Sequence, residues 1–150
     1  MTLDTKNMVH PGFVEIIKQM SPLDAENLSV IADRKSVPIA RYIYRTQKTG
    51  FFIQFDNVFL ENQCQDNIEN QAISISSLDR LGLITTDYSN YLADKKLYKN
   101  FEETAIYQEL LLNAPTKTTN GDKVTKADIQ KGGLFLTPLG EAFVSICLKD

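Results

Sequence analysis

Apolar residues along this chain recur at two different periods, and the changes of period mark its elements. Phe13, Ile16, Ile17 and Met20 fall at i, i+3, i+4 and i+7, which places them on one stripe of a short helix. Ser21-Pro22-Leu23-Asp24 compresses a stop and a new start. Ser21 suits an N-cap, Pro22 the first turn, and Asp24 the positive end of a helix dipole. The second helix is expected to run to about Asp33, burying Ala25, Leu28, Ile31 and Ala32. From Val37 the period shortens. Residues 37 to 45 alternate partly at period two and residues 51 to 59 are aromatic and β-branched, which predicts one or two strands. Pro38 has no amide proton to give a ladder, so it belongs at a sheet edge or a strand start.

A polar run over residues 63 to 70 leads into a central helix built on Ile68, Ala72, Ile75 and Leu78, with Ile73 off that face. Leu78 and Leu81 face inward, Gly82 suits the left-handed residue that ends a helix, and Leu83-Ile84-Thr85-Thr86 reads as a strand. Leu97, Phe101, Ala105 and Leu112, with Tyr107, Leu110 and Leu111 widening the stripe, predict a helix over residues 97 to 112, closed before Pro115. Asn120-Gly121 is a tight-turn signal. Leu134, Phe135 and Leu136 return as a strand. Thr137 then caps and Pro138 opens a final helix, expected to bury Leu139, Ala142, Phe143, Ile146 and Cys147. Helix, strand, returning strand, helix is the skeleton of a winged helix. The predicted fold class is therefore α+β: a single winged-helix-like domain over residues 10 to 150, with an inserted helix between the two wing strands, behind a frayed polar stretch of residues 1 to 9.

Composition narrows the partners. A chain of 150 residues with 43% hydrophobic content suits one domain with its own core. Its net charge of -3 argues against coating nucleic acid through bulk charge. Cys64 and Cys147 are far apart and lie in no CxxC pattern, which suits a reducing cytoplasm. No apolar run approaches the roughly 20 residues of a membrane span.

Three blocks carry a resemblance. Residues 9 to 25 (Val9-His10-Pro11-Gly12-Phe13 through Ala25), Leu78-Asp79-Arg80-Leu81-Gly82-Leu83-Ile84, and residues 133 to 147 (Gly133-Leu134-Phe135 through Cys147) resemble the Abi-alpha family, a bacterial family named for a link to abortive infection, the sacrificial response to phage. The first block is the most specific. Family members usually carry more chain ahead of the His-Pro block, so the resemblance implies a C-terminal part of a longer protein. It carries over no catalytic residues.

Candidate chemistry is sparse. His10 is the one histidine, which removes any multi-histidine metal site, and it reads as an ordering residue beside Pro11 rather than a base. Lys131-Gly132-Gly133 lacks the length and the following Ser or Thr of a P-loop. The carboxylates Glu61, Asp66, Glu69, Asp79, Asp87, Asp94, Glu102, Glu103 and Glu109 read as solvated faces. No catalytic, cofactor or metal residue is assigned.

Two basic patches are candidates for nucleic-acid contact: Arg34, Lys35, Arg41, Arg45 and Lys48 beside Tyr42 and Tyr44, and Lys117, Lys123, Lys126 and Lys131 near the wing. The helix that would enter a groove offers Gln65, Asp66, Asn67, Glu69, Asn70, Gln71, Ser74, Ser77 and Asp79, with Arg80 its one cation. A helix so short of positive charge is poorly placed against phosphates. Protein association therefore ranks above DNA binding, with Phe51, Phe52, Ile73, Tyr107 and Leu110 as candidate interface residues and a partner protein or a homodimer as the expected partner.

Overall fold

A computed structural model describes residues 11–34, 36–62 and 67–148; His10, Lys35, Cys64, Gln65, Asp66 and the stretch expected to fray lie outside them. Helix α1 (Pro11–Gln19) leads directly into α2 (Pro22–Arg34). Ser21 and Asp24 close a reciprocal capping box: the Asp24 amide donates to Ser21 Oγ at 3.0 Å and the Ser21 amide to Asp24 Oδ2 at 3.0 Å. The predicted stripe of α1 narrows. Phe13 is buried, its ring edge-on to Phe143 at 5.2 Å, whereas Ile17 is exposed.

Strands β1 (Ser36–Thr46) and β2 (Phe51–Val58) form a hairpin. After helix α3 (Ile68–Arg80) come β3 (Ile84–Asp87), a 3-10 helix (Lys95–Glu103), α4 (Ala105–Leu112), β4 (Val124–Leu136) and α5 (Pro138–Phe143), followed by a π-helical turn, Val144–Leu148. All pairs in the sheet are antiparallel, in the order β2-β1-β4-β3. The returning strand is thus much longer than Leu134 to Leu136. It pairs with β1 from Ser36↔Phe135 to Thr46↔Val124, while its last residues also hold β3.

β1 lies inside the sheet, yet Pro38 fits. Pairing with β2 begins at Ala40↔Val58, so at Pro38 only β4 stands alongside and no second ladder requires the missing proton. Both faces of β1 are covered. Val37 and Ile39 join the core formed with Phe13, Leu28, Ile31, Ile75, Leu78 and Phe143. Ala40 and Tyr42 point the other way, against Tyr98, Phe101 and Tyr107.

The inserted helix is two pieces rather than one. Thr104 is extended (φ −74, ψ 149) and caps α4 by accepting from the Tyr107 amide at 3.2 Å. Its hydroxyl also meets Tyr42 Oη at 2.7 Å, which fixes the break against the sheet. The buried side follows Tyr98, Phe101 and Tyr107, leaving Leu97 and Leu112 exposed. A similar shift affects the C-terminus. Burial there falls on Phe143 and Val144, while Leu139, Ala142 and Ile146, expected inside, are exposed, Ile146 within the π turn that changes the helical period.

The end of α3 and the start of α5 lock together. The Leu83 amide donates to Leu78 O and the Gly82 amide to Asp79 O, with Gly82 at φ +80, a Schellman closure. Thr137 Oγ1 donates to Gly82 O at 2.6 Å and accepts from the Gly140 amide at 2.9 Å. Gly140 packs so closely that an added Cβ would lie 2.0 Å from Leu83 O. Gly140→Ala is therefore expected to destabilise the protein by about 3 kcal/mol, as overpacking against immovable backbone does. Gly121→Ala, where a Cβ meets open space, should cost only the left-handed strain of about 1 kcal/mol. Urea denaturation of both variants checks the contrast.

Candidate interaction surface

The hairpin β1–β2 and helix α3 bring most of the sequence-predicted residues near one another, but the arginines are already engaged. Arg41 Nε donates to Asp56 Oδ1 at 2.9 Å, and its guanidinium lies 3.8 Å from the centroid of the Tyr88 ring. Tyr88 in turn donates to Asn57 Oδ1 at 2.8 Å, and Asn57 Nδ2 donates to Ser76 Oγ at 3.1 Å. Arg41 is thus one link of a network joining β1, β2, α3 and the segment after β3. Burial raises the Tyr88 hydroxyl well above its ordinary pKa, Asp56 adds to that rise and Arg41 opposes it, so the phenol remains a donor. Arg45 Nε donates to Asp128 Oδ2 at 2.5 Å, and Arg34 is bonded to Glu61. Arg80 donates to Gln19 Oε1 at 3.3 Å. Lys126 Nζ lies 3.9 Å from Asp128 and is largely exposed, and Lys123 has no ion-pair partner among the described residues.

The polar residues of the helix that would enter a groove divide likewise. Gln71 and Ser74 are buried on the inner face of α3. Ser74 Oγ donates to Asp24 Oδ1 at 2.6 Å and accepts from Asn27 Nδ2 at 3.0 Å, pinning α3 to α2. Asn27 Oδ1 also accepts from Asn62 at 2.6 Å. The Ser74 hydroxyl is therefore committed internally and is not offered to a substrate or a base.

Among the candidate interface residues, Tyr107 is turned inward, its ring 4.9 Å from that of Tyr42. Burial, offset in part by the Thr104 hydrogen bond, pushes the Tyr42 hydroxyl up to about 12. Leu110 is half-buried on the same core, and its carbonyl accepts from Tyr44 Oη at 2.8 Å. Phe52 leans on Tyr44 with ring centroids 5.5 Å apart. What remains outside is Phe51 (39% exposed) and Ile73 (65%). Ile53, 42% exposed and paired with Ile43, joins Phe51 on the uncovered end of the sheet; sequence reasoning missed it. A shallow hollow of about 640 Å³ runs between β2 and α3, lined among others by Phe55, Asp56, Glu69, Ile73 and Arg80.

A family model described as abortive infection alpha matches residues 1–147. This chain belongs to the abortive infection alpha family. The match takes in essentially the whole chain, which corrects the expectation of a likeness to the family's C-terminal part alone. No curated protein matches it. One similar solved structure is that of an uncharacterized protein from the hydrocarbon-degrading marine bacterium Alcanivorax borkumensis SK2. It is 15% identical, with a TM-score of 0.52 over 91% of this chain and 92% of that one, a likeness of fold. No helix among the described residues of this family member is long and apolar enough to cross a membrane.

The hairpin tip has its own anchor. The buried Asp122 carboxylate accepts from the Lys48 amide at 2.8 Å, the Thr49 amide at 2.9 Å and Thr49 Oγ1 at 2.7 Å, tying the β1–β2 turn to the 117–123 turn. Burial acts to raise this carboxyl, but those hydrogen bonds outweigh it and hold it well below the ordinary carboxylate range. A depressed folded value means that the contribution to stability is complete above the unfolded value of about 3.9 and is lost as pH falls through the folded one. Urea midpoints measured from about pH 6 to about pH 3 should therefore fall for the wild type and fall less for Asp122→Asn, which lacks the titrating group.

Proposed function

We propose that this chain is a protein-association module serving an abortive-infection response to phage, working in a reducing cytoplasm without catalytic chemistry of its own. One observation carries the reading: Arg34, Arg41 and Arg45 are bonded to Glu61, Asp56 and Asp128, while Phe51, Ile53 and Ile73 stand uncovered. A cation already paired with a carboxylate releases little when it meets a phosphate, whereas exposed apolar groups gain by being buried against a partner. The order α3, β3, β4, α5 supports a winged-helix-like reading of this half of the chain. Within it, α3 occupies the place of a recognition helix but shows Glu69 and Ile73 to solvent.

A second reading keeps some support. Lys117 and Lys123 face each other across the isolated bridge at the hairpin tip, and both are exposed, as is Lys126. These lysines would make a weak, sequence-independent contact with DNA, the wing of a transcriptional regulator.

Light scattering on the purified chain, run beside a fluorescence-anisotropy titration with a random duplex at low and moderate salt, separates the two. The association reading expects a mass above the monomer, or a co-purifying protein, and no steep salt-dependent binding. A strict monomer without a partner would overturn it. Duplex binding that weakens steeply with salt and disappears in Lys123→Glu/Lys126→Glu would establish the DNA reading instead. Those two lysines are the better probes, because Arg41→Glu would also break the Asp56 and Tyr88 contacts.

A further inference from the structure

Helix α3 mixes polar residues into its buried face and carries one large apolar residue on its exposed face. Its inner face carries Gln71 and Ser74 beside Ile75 and Leu78, while Ile73 is 65% exposed on the opposite side. The outward stripe is Glu69, Ile73, Ser76 and Arg80, all exposed and spaced by four, three and four residues. That is the spacing of a helix-pairing seam. Ala72 and Ser77 flank it, so the helix surface beside Ile73 is low, and the hollow of about 640 Å³ continues it towards Phe55 of β2. On the other side of Ile73, a hollow of about 350 Å³ opens towards α1 and α2.

The stripe matches its own reverse. A two-fold axis passing between residues 74 and 75 exchanges position 69 with 80, 72 with 77 and 73 with 76. Two α3 helices laid antiparallel in this register place Glu69 of each copy opposite Arg80 of the other, at both ends of the seam, about 16 Å apart. Ile73 of each falls on Ser76 of its partner, between Ala72 and Ser77, where small side chains leave room for it. Asp79 meets Asn70 rather than another acid. Glu69 and Arg80 have no ion-pair partner among the described residues. Neither charge is thus neutralised among the described residues, Arg80 holding only the neutral Gln19 Oε1 at 3.3 Å, and the apolar knob is uncovered; a second copy of this chain supplies the complement of each.

We propose that the association surface is the outer stripe of α3 and that its partner is a second copy of this chain, joined by an isologous, antiparallel α3 pair. The proposal rests on the association reading above and names its partner and register. It also removes α3 from any groove of DNA, since the same stripe is covered in the dimer.

The test is sedimentation equilibrium of the full chain, with circular dichroism confirming that each variant stays folded. The wild type is expected as a dimer. Ile73→Glu, a change at an exposed position to a good helix former, should raise the dissociation constant at least about tenfold. Glu69→Arg or Arg80→Glu alone sets like charges across both ends and should weaken the dimer several-fold. The double exchange Glu69→Arg/Arg80→Glu restores opposite charges and should recover the wild-type constant. A dimer indifferent to Ile73→Glu would overturn the α3 pair while leaving the association reading intact, with the Phe51 and Ile53 face as its seat. A monomer that nonetheless holds a different protein would do the same. A monomer with no partner would sink both. Single variants that weaken the dimer without recovery in the double exchange would overturn the antiparallel register.

Discussion

The fold depends on β1 being buried on both faces. A strand with water on one side alternates apolar and polar residues, but Val37, Ile39, Ala40, Tyr42, Ile43 and Tyr44 are all shielded. Two helical layers are therefore required. The face of Val37 and Ile39 is closed by α1, α2, α3 and α5, and the face of Ala40 and Tyr42 by the 3-10 helix and α4. The inserted segment between β3 and β4 is thus no ornament on a wing. Without it, Tyr42 would lose its hydrogen bonds to Phe101 O and Thr104 and its contact with Tyr107.

Long ladders follow from the same requirement. β4 spans the full length of β1, which carries its first residues out to the hairpin tip and its last back to β3. At one end Asp122 ties the two turns, and at the other Thr137 ties the end of α3 to α5. Between them, polar side chains join elements where apolar packing stops. Arg41, Asp56, Tyr88 and Asn57 form one such junction, and Asp24, Ser74, Asn27 and Asn62 another. Buried groups of this kind are hydrogen-bonded because an unmet one would cost more than its packing returns.

Local signals were legible in the sequence where the physics is local. The capping box at Ser21 and Asp24, Gly82 at the end of α3, and Thr137 with Pro138 at the start of α5 each depend on neighbours a few residues away, and each is present. What the sequence did not show depends on residues brought together from afar. The basic stretch of β1 reads as a patch only until Asp56 and Asp128 arrive on the adjacent strands. Tyr107 looks like a surface aromatic until Tyr42 stands 4.9 Å away. Ile53 carried no periodic signal to distinguish it from Phe52, since which side of β2 is covered depends on layers set elsewhere. The single helix expected over residues 97 to 112 fails at Thr104 because a tertiary hydrogen bond to Tyr42 holds that residue extended, and periodicity does not register it.

The two faces of α3 bear on the proposed association. Ser74 could be inward for stability alone, since Asp24 and Asn27 satisfy its hydroxyl and fix the angle between α2 and α3. Ile73 is one of several exposed apolar side chains, with Ile17 and Leu112, and is set apart by the hollows on either side of it. An exposed isoleucine lowers helix propensity slightly and returns nothing to an isolated fold. Lysine or glutamate would serve a solvated face better, as they do elsewhere on this surface, where Glu15 and Lys18 pair on α1. A side chain with no role in the core, set between two hollows on the helix directly before β3, makes sense when a second surface completes it. The buried network of Asp24, Asn27, Asn62 and Ser74 beneath α3 then matters to the proposal. In the proposed α3 pair it would hold the outer stripe in place, so that charges at its two ends stay in register with the second copy.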